Sequence, residues 1–344
     1  MTSPVELASL TVPNEVEKVK PPAQQPATAD LTVAPGTRAD NVATTTDPRP
    51  RAVHVIGFSR CRRWAATPVT AADTPAICTF SRHVRTQCDR WATGASRIPQ
   101  CDDGGMRVVS LVPSLTEAVA TTMSEVLVGA TDYCTHPAGL DVARVGGSKY
   151  PDLDRVRALR PDLVLLNVEE NRSADADALR AAGIGVHVTF PRTVDEALSE
   201  LAEMLTALGA TGEPGWLTAA RHAWAAVTPG PPRRAVVPVW RKPWVVVGGT
   251  TFATDVLRRL GVTNLYTDHA DRYPRPTLDE IRNRRPDLMV LPDEPYLFTP
   301  DDGPEAFPGT PCALVSGRHL TWYGPSLAEA PTLLTAQLAS TCSR

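Results

Sequence analysis

The sequence predicts an α/β protein in which two similar parallel-sheet lobes are joined by a long helical spine and preceded by a disordered extension. Three observations predict this fold: short apolar runs alternate with helical stretches from residue 106 onward, one sixteen-residue segment occurs twice, and a helical pattern separates the two halves. We expect a first α/β lobe at 106–191, a helical linker at 192–232 and a second α/β lobe at 233–340.

Residues 1–105 are predicted to form a disordered, low-complexity extension. They hold eleven of the 33 prolines and many Ala and Thr residues, with almost no apolar periodicity. The first thirty residues place Glu and Lys where a secretory signal has an unbroken apolar segment. We therefore expect a cytoplasmic protein, or an extracytoplasmic one if the native N-terminus is misassigned. The seven cysteines show neither a disulfide framework nor zinc-ligand spacing, and a reducing compartment is the simpler interpretation.

The first lobe is predicted to begin with a strand, a turn and a helix. The run RVVSLV (107–112) is short, apolar and rich in valine, and Ser114 and Glu117 have the spacing of a capping box that opens a helix. Three further strands are predicted at VLVGA (126–130), DLVLLN (162–167) and GVHVTF (185–190). Strands that alternate with helices indicate a parallel sheet covered on both faces.

An internal repeat relates the two lobes. The segment PDLDRVRALRPDLVLL (151–166) recurs as PTLDEIRNRRPDLMVL (276–291), with nine identical residues in sixteen and no gap. In both copies Pro and Asp stand at the start of a helix, where they suit the first turn and the helix dipole, and a second Pro-Asp pair precedes a buried strand. A strand-turn-helix pattern at 244–261 is expected to open the later lobe much as residues 107–129 open the earlier one.

Helical spacing continues between the lobes. Thr193 and Glu196 form another capping-box pattern, and the apolar residues that follow keep helical spacing up to Leu208. Residues 209–215 interrupt this pattern before it resumes at Trp216. We expect a long helix, broken or kinked at Gly-Glu-Pro-Gly, and therefore only a small hinge motion between the lobes.

Composition and charge exclude several classes of protein. Lys+Arg 35 against Asp+Glu 38 gives a net charge of −3, which provides no basic field for nucleic acid. No apolar run reaches the roughly 18 residues that a membrane-spanning helix needs. We expect no catalytic residues, no metal site, no covalently bound cofactor and a monomer, with an enzyme on a duplicated nucleotide-type fold as the alternative from another class.

Five segments, in order along the chain, resemble one known family. They are RVVSLVPSLTEA, GATDYCTHP, VGGSKYPDLDRVRALRPDLVLLN, PTLDEIRNRRPDLMVLP and GRHLTWYGP, and they lie within residues 106–340. The chain resembles the helical-backbone (class III) substrate-binding proteins for cobalamin, iron-siderophores and haem, and is most similar to the vitamin B12 binders. The resemblance implies a non-catalytic receptor that binds a cobalamin-type corrinoid in a cleft between two lobes, with an iron-siderophore or haem as the alternative ligand.

Loops that follow the strands of the first lobe are expected to form one wall of this cleft. The resemblance implies that Tyr133 is a ligand-facing aromatic residue. His136 is a candidate axial ligand to cobalt or iron through its neutral imidazole, or it forms a hydrogen bond within its own turn. Polar candidates, which contact the ligand or cap a helix, are Lys149, Glu170, Asn171 and Arg172.

Aromatic residues are the candidates on the wall from the second lobe. Aromatic rings with polar tips suit a large, flat, partly polar macrocycle. These candidates are Trp240, Trp244, Tyr273 and Trp322, and the resemblance carries Tyr273 most securely. The alternative for each Trp is that it covers the core of its own lobe.

Two acidic residues occupy matching positions of the repeat, Asp154 in the first lobe and Asp279 in the second. Members of the family that serve an ABC importer carry an acidic residue, usually Glu, at each of these places and dock through it onto the permease. The resemblance therefore implies docking by Asp154 and Asp279. The alternative is that both carboxylates stabilise the first turn of a helix.

Overall fold

A computed structural model describes residues 105–342, and the predicted disordered extension at 1–105 lies outside the described residues except for Gly105. Each half of this part of the chain contains a five-stranded sheet. The first sheet has the strand order β3-β2-β1-β4-β5 and is parallel throughout. The second has the order β12-β11-β10-β6-β9 and is parallel except for its edge strand β12. Two α/β sheets of related order confirm the predicted fold class.

The elements of the first sheet and its helices cover residues 108–189. The strands are β1 (Val108–Ser110), β2 (Leu127–Ala130), β3 (Ala143–Arg144), β4 (Leu163–Asn167) and β5 (Gly185–Thr189). The helices are α1 (Pro113–Met123), α2 (Leu153–Ala158) and α3 (Ser173–Ala181). In this sheet the strand order reverses between β1 and β4, and open α/β sheets bind ligands outside such a point, at the carboxyl ends of the strands.

The linker and the second sheet follow. The linker contains α4 (Val194–Ala207) and α5 (Gly215–Ala225). The strands of the second half are β6 (Arg233–Val236), β7 (Pro238–Trp240), β8 (Val245–Val246), β9 (Val262–Asn264), β10 (Leu288–Pro292), β11 (Cys312–Val315) and β12 (Thr341–Cys342). Its helices are α6 (Phe252–Arg259), α7 (Leu278–Asn283), α8 (Gly317–Thr321) and α9 (Ala330–Ala339). The matching reversal of strand order lies between β6 and β10.

The two copies of the sequence repeat form the same structure. Each copy has a short helix, then an arginine with a left-handed backbone, then a buried strand: φ is 47° at Arg160 and 49° at Arg285. In each copy the aspartate before the strand accepts a hydrogen bond from a backbone N–H near the start of the neighbouring strand, β1 in the first sheet and β6 in the second. Asp162 accepts from Arg107 at 2.8 Å, and Asp287 from Arg234 at 2.9 Å. The repeated Pro-Asp pair thus fixes neighbouring strands to each other.

The start of α1 differs from the sequence prediction. Pro113 takes the first helical position, Val112 is the N-cap, and no side chain caps the helix. Ser114 therefore lies within the helix, and the Glu117 carboxylate bonds to Arg318 of the second lobe. The expected Ser-x-x-Glu capping box is wrong because a tertiary ion pair takes the carboxylate that the local motif requires.

The segment 244–261 also differs from its prediction. Its helix forms as α6, but β8 pairs with β7 in a separate two-stranded antiparallel sheet. The strand of the second sheet that corresponds to β1 is β6, which begins at Arg233. The analogy between the two halves therefore holds for the helix, but the matching strand is β6, two strands earlier in the chain than the predicted one.

The linker begins as predicted and then turns back. The Thr193 hydroxyl caps α4 by accepting from the Glu196 N–H at 3.1 Å, while the Glu196 carboxylate accepts from Arg192 N–H instead of Thr193. Arg221 in α5 donates to the carbonyl of Leu198, near the start of α4, at 3.1 Å. Because collinear segments would hold these residues far apart, α5 must fold back along α4. The break is confirmed, and the single long helix is replaced by a helical hairpin.

One apolar core crosses from the first half to the second. It includes Leu165 of β4, Leu201 of α4 and Val290 of β10, all of which are buried. Two smaller clusters lie on the far faces of the two sheets, one around Leu166 and one around Leu291. The shared core ties both sheets to the linker. Within residues 105–342, no helix is long and apolar enough to cross a membrane.

Candidate functional site

Side chains at the carboxyl ends of the two sheets meet at the boundary between the halves, and the segments on its two sides are here called the interlobe cleft. Glu169, the second residue after β4, contacts Arg272 and Tyr273 of the second half. Backbones also approach closely at this boundary: a Cβ added at Gly324 would lie 2.9 Å from the Ser114 carbonyl oxygen. Only glycine permits this approach. Segments that follow strands of both sheets therefore lie against each other at this boundary.

Glu169 connects the two walls at one end of the interlobe cleft. Its Oε1 accepts hydrogen bonds from Arg272 Nη2 at 2.8 Å, Arg272 Nε at 3.1 Å and the Tyr273 hydroxyl at 3.0 Å. The Arg272 guanidinium also lies over the Phe190 ring, 4.7 Å from its centre. Lys149 donates to the Glu169 carbonyl at 3.0 Å. Charged hydrogen bonds of this kind hold both loops in one arrangement.

A second ion pair joins the walls at another point. Arg318 of α8 pairs with Glu117 of α1, whose side chain is only 8% exposed. Arg318 also lies 3.6 Å from Glu329, and its guanidinium is 5.9 Å from the centre of the Trp322 ring. A buried carboxylate without its cation is strongly destabilising, so Glu117 and Arg318 are expected to stay paired across the boundary.

Tyr323 connects the two lobes through hydrogen bonds. It is buried, and its hydroxyl lies within hydrogen-bond distance of Asn167 Nδ2, and 3.3 Å from Thr189 Oγ1, at the ends of β4 and β5. Asn167 also accepts from the Glu169 N–H at 2.7 Å, which shapes the turn after β4. Tyr323 therefore fixes the cleft loops and does not present its ring to a ligand.

Tyr133 is presented on a rigid turn. Its side chain is 58% exposed, whereas the next residue, Cys134, is fully buried. Arg144 Nη1 donates to the carbonyls of Thr131 and Cys134, both at 2.9 Å, and so clamps the backbone on either side of the tyrosine. An exposed aromatic ring on an immobilised backbone suits binding, because little side-chain entropy is lost when a ligand covers it.

His136 lies at the boundary between the two halves. Its ring meets the Trp322 ring edge-on, with centres 5.5 Å apart, and Thr135 Oγ1 lies 3.2 Å from its Nδ1. Burial and the nearby Arg318 lower the pKa of His136, while Glu117 opposes them. The neutral imidazole is thus favoured, and a neutral imidazole has one ring nitrogen that can accept a hydrogen bond or bind a metal.

Two carboxylates on opposite walls influence each other. Enclosure by protein raises the pKa of Glu170, and the neighbouring Glu169 raises it further. Burial and Asp293 raise the pKa of Glu294 to about 7, and Glu170 adds to this. The Oε1 of Glu294 is buried and accepts no hydrogen bond from the described residues. The interlobe cleft therefore holds carboxyl groups that carry a proton more readily than carboxyl groups in water.

Two of the predicted polar candidates form hydrogen bonds or ion pairs with other residues of the first half. Asn171 is buried, and its amide bonds to Asn167 N–H and to the carbonyls of Leu111 and Ser148. Arg172 pairs with Asp175, and its guanidinium lies 4.6 Å from the centre of the Tyr150 ring. The structure brings Lys149 and Glu170 to the interlobe cleft, whereas Asn171 and Arg172 organise the start of α3.

Trp240 and Trp244 form an aromatic group in the second half. Trp240 meets the Tyr296 ring edge-on at 5.7 Å, and Trp244 stacks on Phe298 at 6.3 Å. Trp244 also contacts Phe307 and packs against the smaller core around Leu291. Both side chains are half-buried in this group. Trp244 thus fits the alternative in which a tryptophan covers its own lobe, while Trp322 and Tyr273 stand at the interlobe cleft.

Asp154 and Asp279 lie on α2 and α7, at the same place in each. Their side chains are 92% and 85% exposed. Each has an arginine three residues later, Arg157 at 2.8 Å and Arg282 at 3.7 Å. The caps of these helices are Asp152 and Thr277, so neither predicted docking carboxylate is needed as a cap.

A pocket, here called the outer pocket, lies beside the segment that carries Tyr273. It has a volume of about 650 Å³ and is lined by residues from 266 to 284, including Tyr266, Arg275 and Arg284. Tyr273 is shared, since it lines this pocket and its hydroxyl donates to Glu169 of the first half, but no described residue of the first half lines the pocket. We therefore place the candidate site in the interlobe cleft.

The sequence interpretation missed the contacts that join the walls. Glu117 and Arg272 were not among its candidate site residues, and neither ion pair between the halves was predicted. Glu169 and Glu294 share one signal, since each is the second residue after a repeat strand. The partners of Glu169 and Glu117 lie 103 and 201 residues away, and no local pattern indicates them.

Comparison with known proteins supports the family predicted from the sequence. The vitamin B12-binding protein of Yersinia pestis (strain Pestoides F) is 25% identical over 193 residues, which cover 54% of this chain and 69% of that protein. The vitamin B12-binding protein of Yersinia pseudotuberculosis (serotype O:1b, strain IP 31758) matches to the same extent. No family model matches the chain.

Solved structures share the fold. The periplasmic vitamin B12-binding protein BtuF of Vibrio cholerae has a TM-score of 0.55 at 17% identity, covering 68% of this chain and 96% of that one. The periplasmic haem-binding protein HutB of Vibrio cholerae has a TM-score of 0.57 at 18% identity, covering 68% and 99%. The periplasmic haem-binding protein RhuT of Roseiflexus sp. RS-1 has a TM-score of 0.55 at 20% identity, covering 68% and 98%. The resemblance to helical-backbone substrate-binding proteins is thereby confirmed.

These comparisons correct one expectation. The sequence predicted a cytoplasmic protein in a reducing compartment, but the similar solved structures are of periplasmic proteins. The prediction rested on the absence of a recognisable export signal in the first thirty residues, which lie outside the described residues. The cytoplasmic assignment is wrong.

Proposed function

Since this chain has the fold of the helical-backbone substrate-binding family, we propose that it is a non-catalytic receptor that binds a cobalamin-type corrinoid in the interlobe cleft. The observation that carries the proposal is the position of Tyr133: a 58% exposed aromatic ring on a clamped turn, at the carboxyl end of β2. The relatives named as vitamin B12-binding proteins support the corrinoid as the ligand.

The chemistry of the cleft suits a corrinoid in two respects. Tyr133 and Tyr273 offer exposed ring faces to a flat macrocycle, one from each half of the chain. The carboxyl groups of Glu170 and Glu294, with raised pKa values, suit the neutral amide groups around a corrin ring better than they suit anionic substituents. A protonated carboxyl group can both donate and accept hydrogen bonds.

Haem is the second candidate ligand, and His136 is the observation that favours it. The neutral imidazole of His136 stands at the interlobe boundary beside Trp322 and could bind iron axially. Two similar structures are named haem-binding proteins. An iron-siderophore is the third candidate, since Arg272 and Arg318 bring positive charge to the walls.

The receptor would act by holding and releasing its solute. The polar groups of the cleft form ion pairs and hydrogen bonds that connect the walls, and we assign none of them to a bond-making step. The rival class, an enzyme on a duplicated nucleotide-type fold, predicts turnover of the bound compound. Recovery of chemically unchanged ligand after prolonged incubation distinguishes the two.

The delivery partner would be an ABC importer permease. Asp154 and Asp279 are almost fully exposed carboxylates at equivalent positions of two matching helices, one per half, and neither is needed as a cap. Such a pair suits two basic patches on a dimeric partner. Replacing both with Ala should abolish transport in cells while ligand affinity stays unchanged. Transport at the unmodified rate would remove the docking role.

Calorimetric titration of the full chain tests the proposal. Cyanocobalamin, haem and a ferric catecholate siderophore are titrated side by side under the same conditions. We expect cyanocobalamin to bind most tightly, with a stoichiometry of one, and His136→Ala to leave that affinity within about twofold. Preferential haem binding that His136→Ala abolishes would replace the corrinoid with haem.

A further inference from the structure

Two cysteines face each other at the edge of the second sheet. Cys312 on β11 and Cys342 on β12 are directly opposite partners in an antiparallel pair. Cys342 Sγ lies 3.4 Å from the carbonyl oxygen of Cys312, to which it donates. Both thiols are free in this structure. No sequence pattern pairs them, because they are thirty positions apart and belong to no cysteine motif.

The strand geometry permits a covalent bond between them. Directly opposite residues of an antiparallel pair have Cα atoms about 4.5 to 5.5 Å apart. A disulfide requires Cα atoms about 4.4 to 6.8 Å apart. Cys342 also packs against the apolar cluster to which Cys312 belongs, so both side chains lie on the same face of the sheet. The third cysteine of the described residues, Cys134, is buried in the first half.

We propose that Cys312 and Cys342 form a disulfide bond when the protein meets a disulfide oxidant, so that β12 is covalently fixed to the second sheet. The reaction is thiol–disulfide exchange with an external disulfide, R–S–S–R. The two cysteine thiols lose two protons and two electrons, one S–S bond forms in the protein, and the oxidant is reduced to two R–SH. The proposal does not depend on the identity of the solute.

The exposure of the two thiols sets the order of attack. Cys342 is partly exposed and Cys312 is 1% exposed. Cys342 attacks the external disulfide first and forms a mixed disulfide, and the Cys312 thiolate then attacks the Cys342 sulfur and releases the second R–SH. Burial raises the pKa of Cys312 to about 12, so little of it is thiolate and this second step is the slower one. The step can proceed because the mixed disulfide on Cys342 lies beside Cys312.

The closed loop would contain one wall of the interlobe cleft. It runs from Cys312 through α8, with Arg318, to α9 and Cys342. Gln337 of α9 accepts from the Ser316 N–H at 3.0 Å, so α9 already holds the start of α8 in place. Fixing the end of this loop restricts the unfolded chain and stabilises the segment that carries Arg318.

Peptide mapping of the full chain under non-reducing conditions tests the proposal. The protein is equilibrated with oxidised glutathione at pH 8, free thiols are blocked by alkylation, and the digest is analysed by mass spectrometry before and after reduction. We expect one cross-linked peptide that joins Cys312 to Cys342. Recovery of both residues as alkylated thiols, or of Cys342 joined to a cysteine within residues 1–104, would overturn the assignment.

The melting temperature gives a second readout, with Cys342→Ser as the variant because its side chain is not fully buried. Reduction of the wild-type protein should lower Tm by roughly 5–15 °C, as expected for a loop of this length. The reduced wild-type protein and Cys342→Ser should melt within about 2 °C of each other, and the variant should not respond to reductant. An equal response of both proteins to reductant would contradict the bond.

Discussion

The two copies of the repeat, at 151–166 and 276–291, form the same local structure but are followed by different residues. Both have a short capped helix, a left-handed arginine and an aspartate that holds the sheet's first strand. Beyond the strands they diverge. The first copy continues into a turn organised by Asn167, whereas the second continues to Glu294, which has an unbonded buried oxygen. Duplication therefore preserved the scaffold and left the cleft residues free to differ.

Matched core substitutions give the largest expected effect. Leu166 and Leu291 are equivalent in the repeat, fully buried, and belong to separate small clusters. Leu166→Ala and Leu291→Ala should each lower the free energy of unfolding by about 2–5 kcal/mol, because each leaves a cavity in a packed sheet face. Urea denaturation followed by circular dichroism measures this.

The same experiment tests whether the halves unfold together. Because one apolar core spans both sheets and the linker, each substitution should shift a single cooperative transition of the described part. Two resolved transitions, with each variant shifting only its own, would show that the halves are energetically independent.

Substitution of the exposed tyrosines compares the contributions of the two walls to ligand affinity. Tyr133→Ala should weaken corrinoid binding by roughly five- to 150-fold, because the ligand buries a large aromatic surface there. Tyr133→Phe should retain most of the affinity, since the Tyr133 hydroxyl forms no hydrogen bond with any other residue of the described part of the chain. Tyr273→Phe should lose more, because the Tyr273 hydroxyl donates to Glu169 across the interlobe cleft. Calorimetric titration measures all three.

Thermal stability is the control for this comparison. Tyr133 is 58% exposed, so Tyr133→Ala should leave Tm nearly unchanged. Normal binding by Tyr133→Ala, or a loss of binding that follows an equal loss of stability, would show that Tyr133 belongs to the scaffold and not to the ligand-binding wall.

The free energy of unfolding should depend on pH through Glu294, which follows the second copy of the repeat. The pKa of Glu294 is raised from 4.5 to about 7 in the folded protein, so the folded state binds its proton more tightly than the unfolded state. The stabilisation from this proton is complete below about pH 4.5 and is lost as the pH rises through 7. Glu294→Gln should therefore be more stable than wild type at pH 8 by about 1–3 kcal/mol, and similar to it at pH 4.5.

Chemical denaturation at both pH values measures this difference. Glu125→Gln, on an exposed surface carboxylate, is the matched control and should shift neither value. Equal effects of Glu294→Gln at the two pH values would contradict a raised pKa at this position.

Local signals explain which parts of the fold could be predicted. The strands at 162–167 and 185–190, the N-cap at Thr193 and the repeat depend on neighbouring residues, and the structure places them within a residue or two of the prediction. The capping box at Ser114 failed because Glu117 pairs with Arg318, 201 residues away. A tertiary partner at that distance leaves no mark on local spacing.

The candidate site was predictable only in outline. Tyr133 and Tyr273 became candidates mainly through the family resemblance, and both are exposed in the structure. The role of Asn171 could not be predicted, since its amide bonds to backbone groups of three separate segments that only the fold brings together. The links between Glu169 and Arg272 and between Asn167 and Tyr323 depend on how the halves are placed, which the sequence pattern does not encode.

Hydrogen–deuterium exchange with and without cyanocobalamin tests the central claim most directly. If the solute binds in the interlobe cleft, exchange should slow in both halves at once, at 131–136 and 168–170 on one wall and at 271–273 and 317–323 on the other. Protection confined to one half, or protection of the outer pocket at 274–284 with the segments 131–136 and 317–323 unchanged, would contradict a binding site between the two lobes.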